Sequence, residues 1–263
     1  MPNKDVQSER DTRKITIDRV GVKNIRYPIV VEDRQNVQQQ TVADIALYVD
    51  LPEDERGTHM SRFLEVLNEY HKEDIIANLE QFMIDLRQRL GSDTAFAVID
   101  FPYFIEKQAP VSLSRSLLSY QCHFQASLSE VFRLVIGVKV PITTLCPCSK
   151  EISENGAHSQ RSYVNIQVTL KDFVWLEELI ELVEASASCE IYSLLKRSDE
   201  KFVTEKAYDN PRFAEDIVRE ITLKLRQDER ITSFRVETEN LESIHDHNAY
   251  AGVWSENFWE IKD

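Results

Sequence analysis

The hydrophobic pattern of the chain follows an order that occurs twice. Two β-branched segments, ITIDRVGVKNI from Ile15 and TVADIALYVDL ending at Leu51, alternate apolar and polar positions, which is typical of strands with one wet face. The helical spacing of MSRFLEVLNEYH and KEDIIANLEQFMIDLRQRL predicts two helices, with Gly91 as a left-handed C-terminal cap. Strand-like segments then resume between residues 94 and 142.

The second half of the chain repeats this scheme. A strand is predicted at SYVNIQVTL, and helices at WLEELIELVEASA and at PRFAEDIVREITLKLRQ, with Pro211 in the first turn of the latter. SFRVETENL and the aromatic-rich YAGVWSENFWEI close the chain. The order predicts a duplicated strand-strand-helix-helix-strand-strand unit, in which helices cover one face of an antiparallel sheet. This is an α+β architecture, and such half-covered sheets often complete themselves by oligomerising.

The polar start of the chain differs from the periodic segments that follow it. We predict a flexible N-terminal arm over residues 1–14, a first module over 15–127 and a second module over 128–263. The arm has no apolar core of the kind that a secretory signal needs, and no stretch approaches the roughly 18 apolar residues of a membrane span. We therefore expect a cytoplasmic protein.

Charge and cysteine content narrow the range of partners. The formal net charge of −14 argues against general binding to nucleic acid or to anionic membranes, which basic surfaces recognise. A polyanionic ligand would need a local basic pocket. The four cysteines are expected to be reduced thiols, because the chain is large and lacks an export signal.

The segment LCPCSKEISENGAHSQRS carries the strongest chemical signal. Cys146, Cys148 and His158 offer thiolate and imidazole donors, the pair expected for zinc or a similar ion, in a loop between two strands. The alternative is that both cysteines are small buried side chains in a turn. A structural four-ligand zinc site is not expected, because no second pair of ligands is present.

Three further clusters are weaker. In ESIHDHNAYA, Glu242, His245 and His247 could serve as acid or base near neutral pH, or could form a solvated turn. In GTHMSRF, Thr58 is a predicted helix cap beside a possible phosphate site, and Arg62 is otherwise a surface charge. The carboxylates of SDEKFVTEKAYDNPRFAED would ordinarily form a wet helix face; they include Glu200, Glu205 and Glu215.

Together these segments resemble the type IB GTP cyclohydrolase I family. The match covers GTHMSRF, the KQAPVS stretch from Lys107, LCPCSKEIS with AHSQRS, EKAYDNPRFAED and ESIHDHNAYA, in family order from about Ile15 onward. The resemblance implies a bimodular tunnelling fold with two ββααββ units. It also implies a homo-oligomer, a tetramer, with active sites near subunit interfaces.

The resemblance also implies roles for individual residues. Cys146 and His158 become ligands of a divalent metal, with Glu200 approaching the same ion. Glu215 becomes the carboxylate that anchors the guanine edge of GTP. The catalytic group beside the metal comprises Glu242, His245 and His247. The candidates for binding the triphosphate are Arg62, Lys107, Arg115, Lys150 and Arg161.

The implied activity is hydrolysis of GTP at C8 with loss of formate, which yields 7,8-dihydroneopterin triphosphate for folate biosynthesis. Zinc, manganese or ferrous iron could fill the metal site, and no organic cofactor is expected. One alternative is the nitrile reductase of queuosine synthesis, which shares the fold and would use Cys146 as a nucleophile with NADPH. The other is a non-catalytic purine- or pterin-binding protein.

Overall fold

The structure, a computed structural model, describes residues 7, 9–70 and 75–258. Within that part of the chain lie nine strands: β1 (Ile17–Asp33), β2 (Val37–Leu51), β3 (Ala95–Gln108), β4 (Arg115–Leu128), β5 (Phe132–Leu145), β6 (Ser159–Leu170), β7 (Cys189–Glu190), β8 (Ile231–Asn240) and β9 (Ala249–Trp254). The helices are α1 (Met60–Glu69), α2 (Leu79–Leu90), α3 (Pro147–Ile152), α4 (Leu176–Glu184), α5 (Arg197–Asp209) and α6 (Ala214–Gln227).

The strands form an antiparallel sheet in the order β1-β2-β3-β4-β5-β6-β8-β9, with β7 paired to β5. Two strands, two helices and two strands come first, and the scheme then returns with α3, β7 and α5 added. The predicted α+β class and duplicated ββααββ order are therefore confirmed.

Two compact units can be distinguished, one within Met1–Phe101 and His123–Val135, the other within Pro102–Cys122 and Ile136–Trp259. The module boundaries given above, 15–127 and 128–263, stay a prediction.

In the first unit, β2 and two helices share an apolar core. Alternate residues of β2 are buried while their neighbours are more exposed: Ala43, Ile45, Leu47, Val49 and Leu51. Helix α1 contacts α2 and β1, and it buries Phe63, Val66 and Leu67. The Tyr70 ring meets Phe82 of α2 edge-on, at 5.3 Å between centroids. One face of the sheet is thus covered, as the alternating pattern predicts.

In the second unit, the helical layer lies against β8 and β9. Helix α6 contacts both strands and also α4, and its buried stripe includes Ile217, Ile221 and Leu225. Strand β6 pairs with β8 so that Val164 lies opposite Thr238 and Ile166 opposite Val236. The side chains of all four are nearly or fully buried. This rigid layer carries the loops discussed below.

Two predicted helix starts are wrong. Thr58 does not cap α1: the helix begins after His59, and the Thr58 carbonyl instead accepts a hydrogen bond from Gln7 Nε2 at 3.3 Å. Pro211 precedes α6 rather than entering its first turn, because the Arg212 N–H donates to the Leu145 carbonyl at 3.0 Å and keeps this stretch extended. Gly91, by contrast, is the left-handed cap that was predicted, with φ 69°.

The start of the described chain pairs with the loop that precedes α1. The N–H of Gly57 donates to Gln7 O at 3.2 Å, and that of Arg56 donates to Glu9 O at 3.2 Å. The Asp11 N–H donates to Asp54 O at 2.9 Å. Of the arm predicted at 1–14, residues 1–6 and 8 lie outside the described residues, and residues 7 and 9–11 form a short antiparallel ladder with 54–57. None of the helices described is long and apolar enough to cross a membrane.

Candidate active site

The loop between β5 and β6 brings Cys146 and His158 side by side. Cys146 follows the last residue of β5 and is the N-cap of α3, with Pro147 in the favoured first position. Its N–H donates to the His158 carbonyl at 3.1 Å, so the two backbones are adjacent although twelve positions separate them. Gly156, with φ 80°, reverses the chain between them.

Ser149 forms hydrogen bonds with both Cys146 and His158 and so stabilises their adjacent positions. Its hydroxyl donates to the Cys146 carbonyl at 3.1 Å and accepts the His158 N–H at 3.2 Å. Its own N–H donates to Cys146 Sγ at 3.4 Å. The backbone positions of both predicted ligands are therefore determined by hydrogen bonds within the protein. Cys148, on α3, is exposed.

Glu242 is the member of the ESIHDH segment that approaches His158. Its Oε2 lies 3.9 Å from His158 Nδ1, and the side chains are only 12% and 16% exposed, respectively. The Leu241 N–H donates to the Arg161 carbonyl at 3.0 Å, which holds the segment beside the start of β6. His158 Nδ1 also contacts Gln160 Oε1 at 3.0 Å.

His245 and His247 lie further along the same loop and are exposed. Their rings stack at 5.1 Å between centroids, and His247 Nδ1 lies 3.2 Å from Asp246 Oδ1. Neither ring forms a hydrogen bond with Cys146 or His158. Their predicted catalytic roles stay a prediction, with both side chains solvent-accessible.

Glu200 and Glu215 both lie near the start of a helix. Each is exposed in the first turn, of α5 and α6 respectively, and neither carboxylate has a partner in the part of the chain described. Asp199, next to Glu200, is fully buried and accepts the N–H groups of Val111 and Ser112 at 2.9 and 2.8 Å. That carboxylate determines where α5, and with it Glu200, begins.

The predicted triphosphate-binding residues are differently placed. Arg161 is exposed and has no ion-pair partner among the described residues. Lys150 Nζ lies 4.4 Å from the centre of the Tyr208 ring and donates to the Tyr208 carbonyl. Lys107, however, is only 12% exposed and pairs with Glu184 at 2.6 Å. Arg115 pairs with Glu106 at the surface, and Arg62 lies on α1 in the first unit.

A cavity of about 380 Å³ lies beside the Cys146–His158 loop. Leu145, Ala157 and Ser159, the neighbours of the two predicted ligands, line it, as do Arg161 and two tyrosines, Tyr192 and Tyr208. This volume is within the range of small-molecule sites. Aromatic rings and a cation among the lining residues suit a flat, anionic ligand.

Glu190, another lining residue, is held ionised by its donors. Tyr192 OH donates to Oε1 at 2.6 Å and Lys206 Nζ donates to Oε2. Burial alone would raise the pKa of Glu190, but hydrogen bonds from Lys206 and Tyr192 outweigh it and lower the pKa from 4.5 to about 2. Because the pKa is lowered on folding, Glu190 stabilises the native state above about pH 4.5, and this contribution is lost as the pH falls towards 2.

We expect Glu190→Gln to lower the free energy of unfolding at neutral pH by on the order of 3 kcal/mol and to flatten its fall between pH 4.5 and 2. Denaturant titrations across this pH range would measure both effects. Glu205→Gln is the matched control, because Glu205 is 63% exposed and pairs with an exposed lysine, Lys201. An unchanged acid slope in Glu190→Gln would contradict the assignment.

The donor set at the loop fits a divalent metal ion. Thiolate and imidazole suit zinc and related ions, and His158 Nε2 makes no hydrogen bond within the described chain. No group of three or more His, Cys, Asp or Glu side chains among the described residues is already arranged around an ion. The structure thus places the backbones of two of the three predicted ligands side by side, and the metal site itself, with the approach of Glu200, stays a prediction.

Solved structures with the same fold place the chain in a structural class. A uricase from Arthrobacter globiformis covers 93% of this chain and 96% of its own, with TM-score 0.50 and 8% identity. A highly active mutant of urate oxidase from Bacillus sp. TB-90 covers 91% and 99%, with TM-score 0.54 and 9% identity. At such identities the likeness concerns the fold alone, and it confirms the tunnelling fold.

Sequence relatives identify the family within that class. The sequence model of the family described as type I GTP cyclohydrolase folE2 matches residues 3–251. GTP cyclohydrolase FolE2 of Geobacter sulfurreducens is 56% identical over 249 residues, covering 95% of this chain and 96% of its own. FolE2 of Magnetococcus marinus is 55% identical over 254 residues, covering 96% of each chain. The chain belongs to the type I GTP cyclohydrolase FolE2 family, which confirms the resemblance noted from its motifs.

Several residues of the site were not predicted from the sequence. Ser149 and Gln160 contact the predicted ligands, and Glu190, Tyr192 and Tyr208 line the cavity. Gln160 could have been found by strand alternation, because it is two positions after His158 and so shares its face. The cavity residues are on separate elements and have no common sequence signal.

Proposed function

We propose that this protein is a metal-dependent GTP cyclohydrolase I, converting GTP and water into formate and 7,8-dihydroneopterin triphosphate for folate synthesis. The observation that carries the proposal is the hydrogen bond from Cys146 N–H to the His158 carbonyl, which joins two predicted ligands beside a cavity of suitable size. Membership of the cyclohydrolase family supplies the substrate and the reaction. The nitrile reductase has no comparable support.

Cys146 and His158 would hold the divalent ion, with Glu200 as the third ligand. When bound, such an ion lowers the pKa of water from about 15.7 towards about 7 and so supplies a nucleophile for C8. Zinc, manganese and ferrous iron all suit sulfur, nitrogen and oxygen donors, so availability decides among them. No organic cofactor is needed, because the reaction is a hydrolysis followed by rearrangement.

Protons must move as C8 is attacked, and purine N7 must receive one. His245 is proposed as the donor, since histidine changes charge near neutral pH, with His247 in support and Glu242 accepting a proton from water. Glu215 is exposed in the first turn of α6 and has no partner in the described part of the chain, so its carboxylate can accept the N1–H and amino protons of guanine. Adenine lacks this pair of donors, so the contact selects GTP.

The triphosphate requires cations in a chain of net charge −14. Arg161 supports this role best, because it is exposed, lacks an ion-pair partner in the described chain and lines the cavity. Lys150 Nζ lies 4.4 Å from the centre of the Tyr208 ring, and Tyr208 lines the cavity. We also propose that the protein is cytoplasmic and forms a homotetramer with active sites near the subunit interfaces. Light scattering on the pure protein would test the tetramer.

The decisive experiment incubates pure protein with GTP, with and without EDTA, and measures fluorescent pterin after oxidation. EDTA should abolish the signal, and zinc, manganese or ferrous iron should restore it. Binding of GTP without any pterin, at every metal tested, would instead support the non-catalytic alternative. Metal analysis of protein purified without chelator identifies the ion that the cell supplies.

A further inference from the structure

A chain of buried hydrogen bonds begins at His158 and ends inside the second unit. His158 Nδ1 lies 3.0 Å from Gln160 Oε1. Gln160 Nε2 donates to Thr144 Oγ1 at 2.9 Å, and Thr144 Oγ1 lies 2.7 Å from Ser162 Oγ. Gln160 is 8% exposed, and Thr144 and Ser162 are fully buried. This series of hydrogen bonds therefore links the largely buried imidazole of His158 to buried positions on β5 and β6.

The direction of these bonds decides which ring nitrogen of His158 carries the proton. With Oε1 towards the ring, Gln160 accepts, so the proton is on Nδ1 and the lone pair is on Nε2. The reverse amide orientation would require a lone pair on Nδ1, yet Glu242 Oε2 lies 3.9 Å from that nitrogen. A carboxylate beside a lone pair is repulsive and beside an N–H is attractive. Glu242 thus favours the orientation in which Gln160 accepts.

We propose that Gln160 is a positioning residue, which holds His158 in the Nδ1–H tautomer and presents Nε2 to a metal ion. The inference rests on the proposed metal-dependent function. Ligating histidines generally need such a partner on the other ring nitrogen, because it fixes both ring orientation and basicity. Here the partner is an amide that Thr144 anchors in turn, and Ser162 extends the anchor into the core.

Gln160→Leu tests the proposal because leucine has a similar size but lacks the amide oxygen that accepts from His158. Competition with a chromophoric chelator should show zinc bound roughly 10- to 100-fold more weakly, the usual effect of losing a partner of a ligating histidine. Gln167→Leu is the matched control. Gln167 is a buried glutamine on the same strand, roughly 30 Å from His158 at the rise of an extended chain. Its zinc affinity should not change.

The tautomer itself can be read without metal or turnover. Nitrogen-15 NMR of the metal-free protein, recorded about two pH units above the ordinary histidine pKa of about 6.5, should show His158 as a single Nδ1–H tautomer. The spectrum should become a tautomer mixture in Gln160→Leu and stay unchanged in Gln167→Leu. Gln160→Glu, which still accepts from Nδ1–H, should restore the single tautomer.

If Gln160→Leu does not fold, Thr144→Val gives the same reading, because it removes the group that orients the Gln160 amide. An unchanged His158 spectrum in the variant that folds, or an Nε2–H tautomer in the wild type, overturns the proposal. Equal losses of zinc affinity in Gln160→Leu and Gln167→Leu overturn it as well. A wild-type protein that holds the Nδ1–H tautomer but never converts GTP would refute the proposed function and leave the positioning role supported.

Discussion

Replacement of Cys146 by alanine is expected to reduce GTP turnover by roughly a thousandfold or more while leaving the protein folded. Loss of the thiolate removes a metal ligand, and Lewis-acid stabilisation by a metal is worth several kcal/mol, at about 1.4 kcal/mol for each factor of ten. The fold should survive because Cys146 lies in a loop and alanine retains the N–H that donates to the His158 carbonyl, so that only the 3.4 Å bond from Ser149 N–H to Sγ is lost. Pterin fluorescence and circular dichroism measure the two properties.

Cys148→Ala is the matched control for this experiment. Cys148 is exposed on α3, two residues from Cys146, and forms no disulfide. The proposed site gives it no role, so its turnover and metal content should equal those of the wild type. A normal rate in Cys146→Ala, or an equal loss in both variants, would remove the metal role assigned to Cys146.

Lys107→Met is expected to lower the free energy of unfolding by about 3 kcal/mol. The ammonium lies 2.6 Å from Glu184 Oε1, and both side chains are at least 85% buried. Tyr120 OH also donates to that oxygen at 2.7 Å. Removing one partner of a buried pair leaves the other charge uncompensated, which typically costs about 3–5 kcal/mol. Denaturant unfolding measures the change, and Arg115→Met, which breaks an exposed pair, should cost about 1 kcal/mol or less.

The double variant Lys107→Met/Glu184→Gln separates a structural role of Lys107 from binding of the triphosphate. Most of the lost stability should return, because neither buried charge remains. If Lys107 also binds the triphosphate, as the family resemblance implies, KM for GTP stays raised in the double variant. Stability that does not return would contradict the buried-pair interpretation.

Much of the fold could be predicted, because the spacing of apolar residues along the sequence shows which face of a strand or helix is buried. The alternation in TVADIALYVDL appears as the buried face of β2, and Gly91 ends α2 as its lack of a Cβ predicts. Thr58 and Pro211 were misassigned because distant groups, the Gln7 side-chain amide and the Leu145 carbonyl, hold the segments that precede α1 and α6. Such distant partners cannot be identified from the residues that surround Thr58 and Pro211 in the sequence.

The candidate site could be proposed from the sequence where its chemistry is concentrated in one segment. Cys146 and His158 share one loop, so their residue types favoured a metal site, which stays a prediction. Lys107 shows the opposite case, because only the structure reveals Glu184 as its partner, 77 positions away. Gln160 was overlooked for a related reason: an amide has no distinctive chemistry until the ring that it faces is known.

The ladder that residues 7 and 9–11 form with residues 54–57 has a practical consequence for handling the protein. Residues 54–57 of this ladder directly precede Thr58, His59 and the first turn of α1 in the chain. Proteolytic removal of the chain as far as Asp11 would delete one side of the ladder altogether. Samples for assay and crystallisation should therefore be checked by mass spectrometry to confirm that residues 7 and 9–11 are still present.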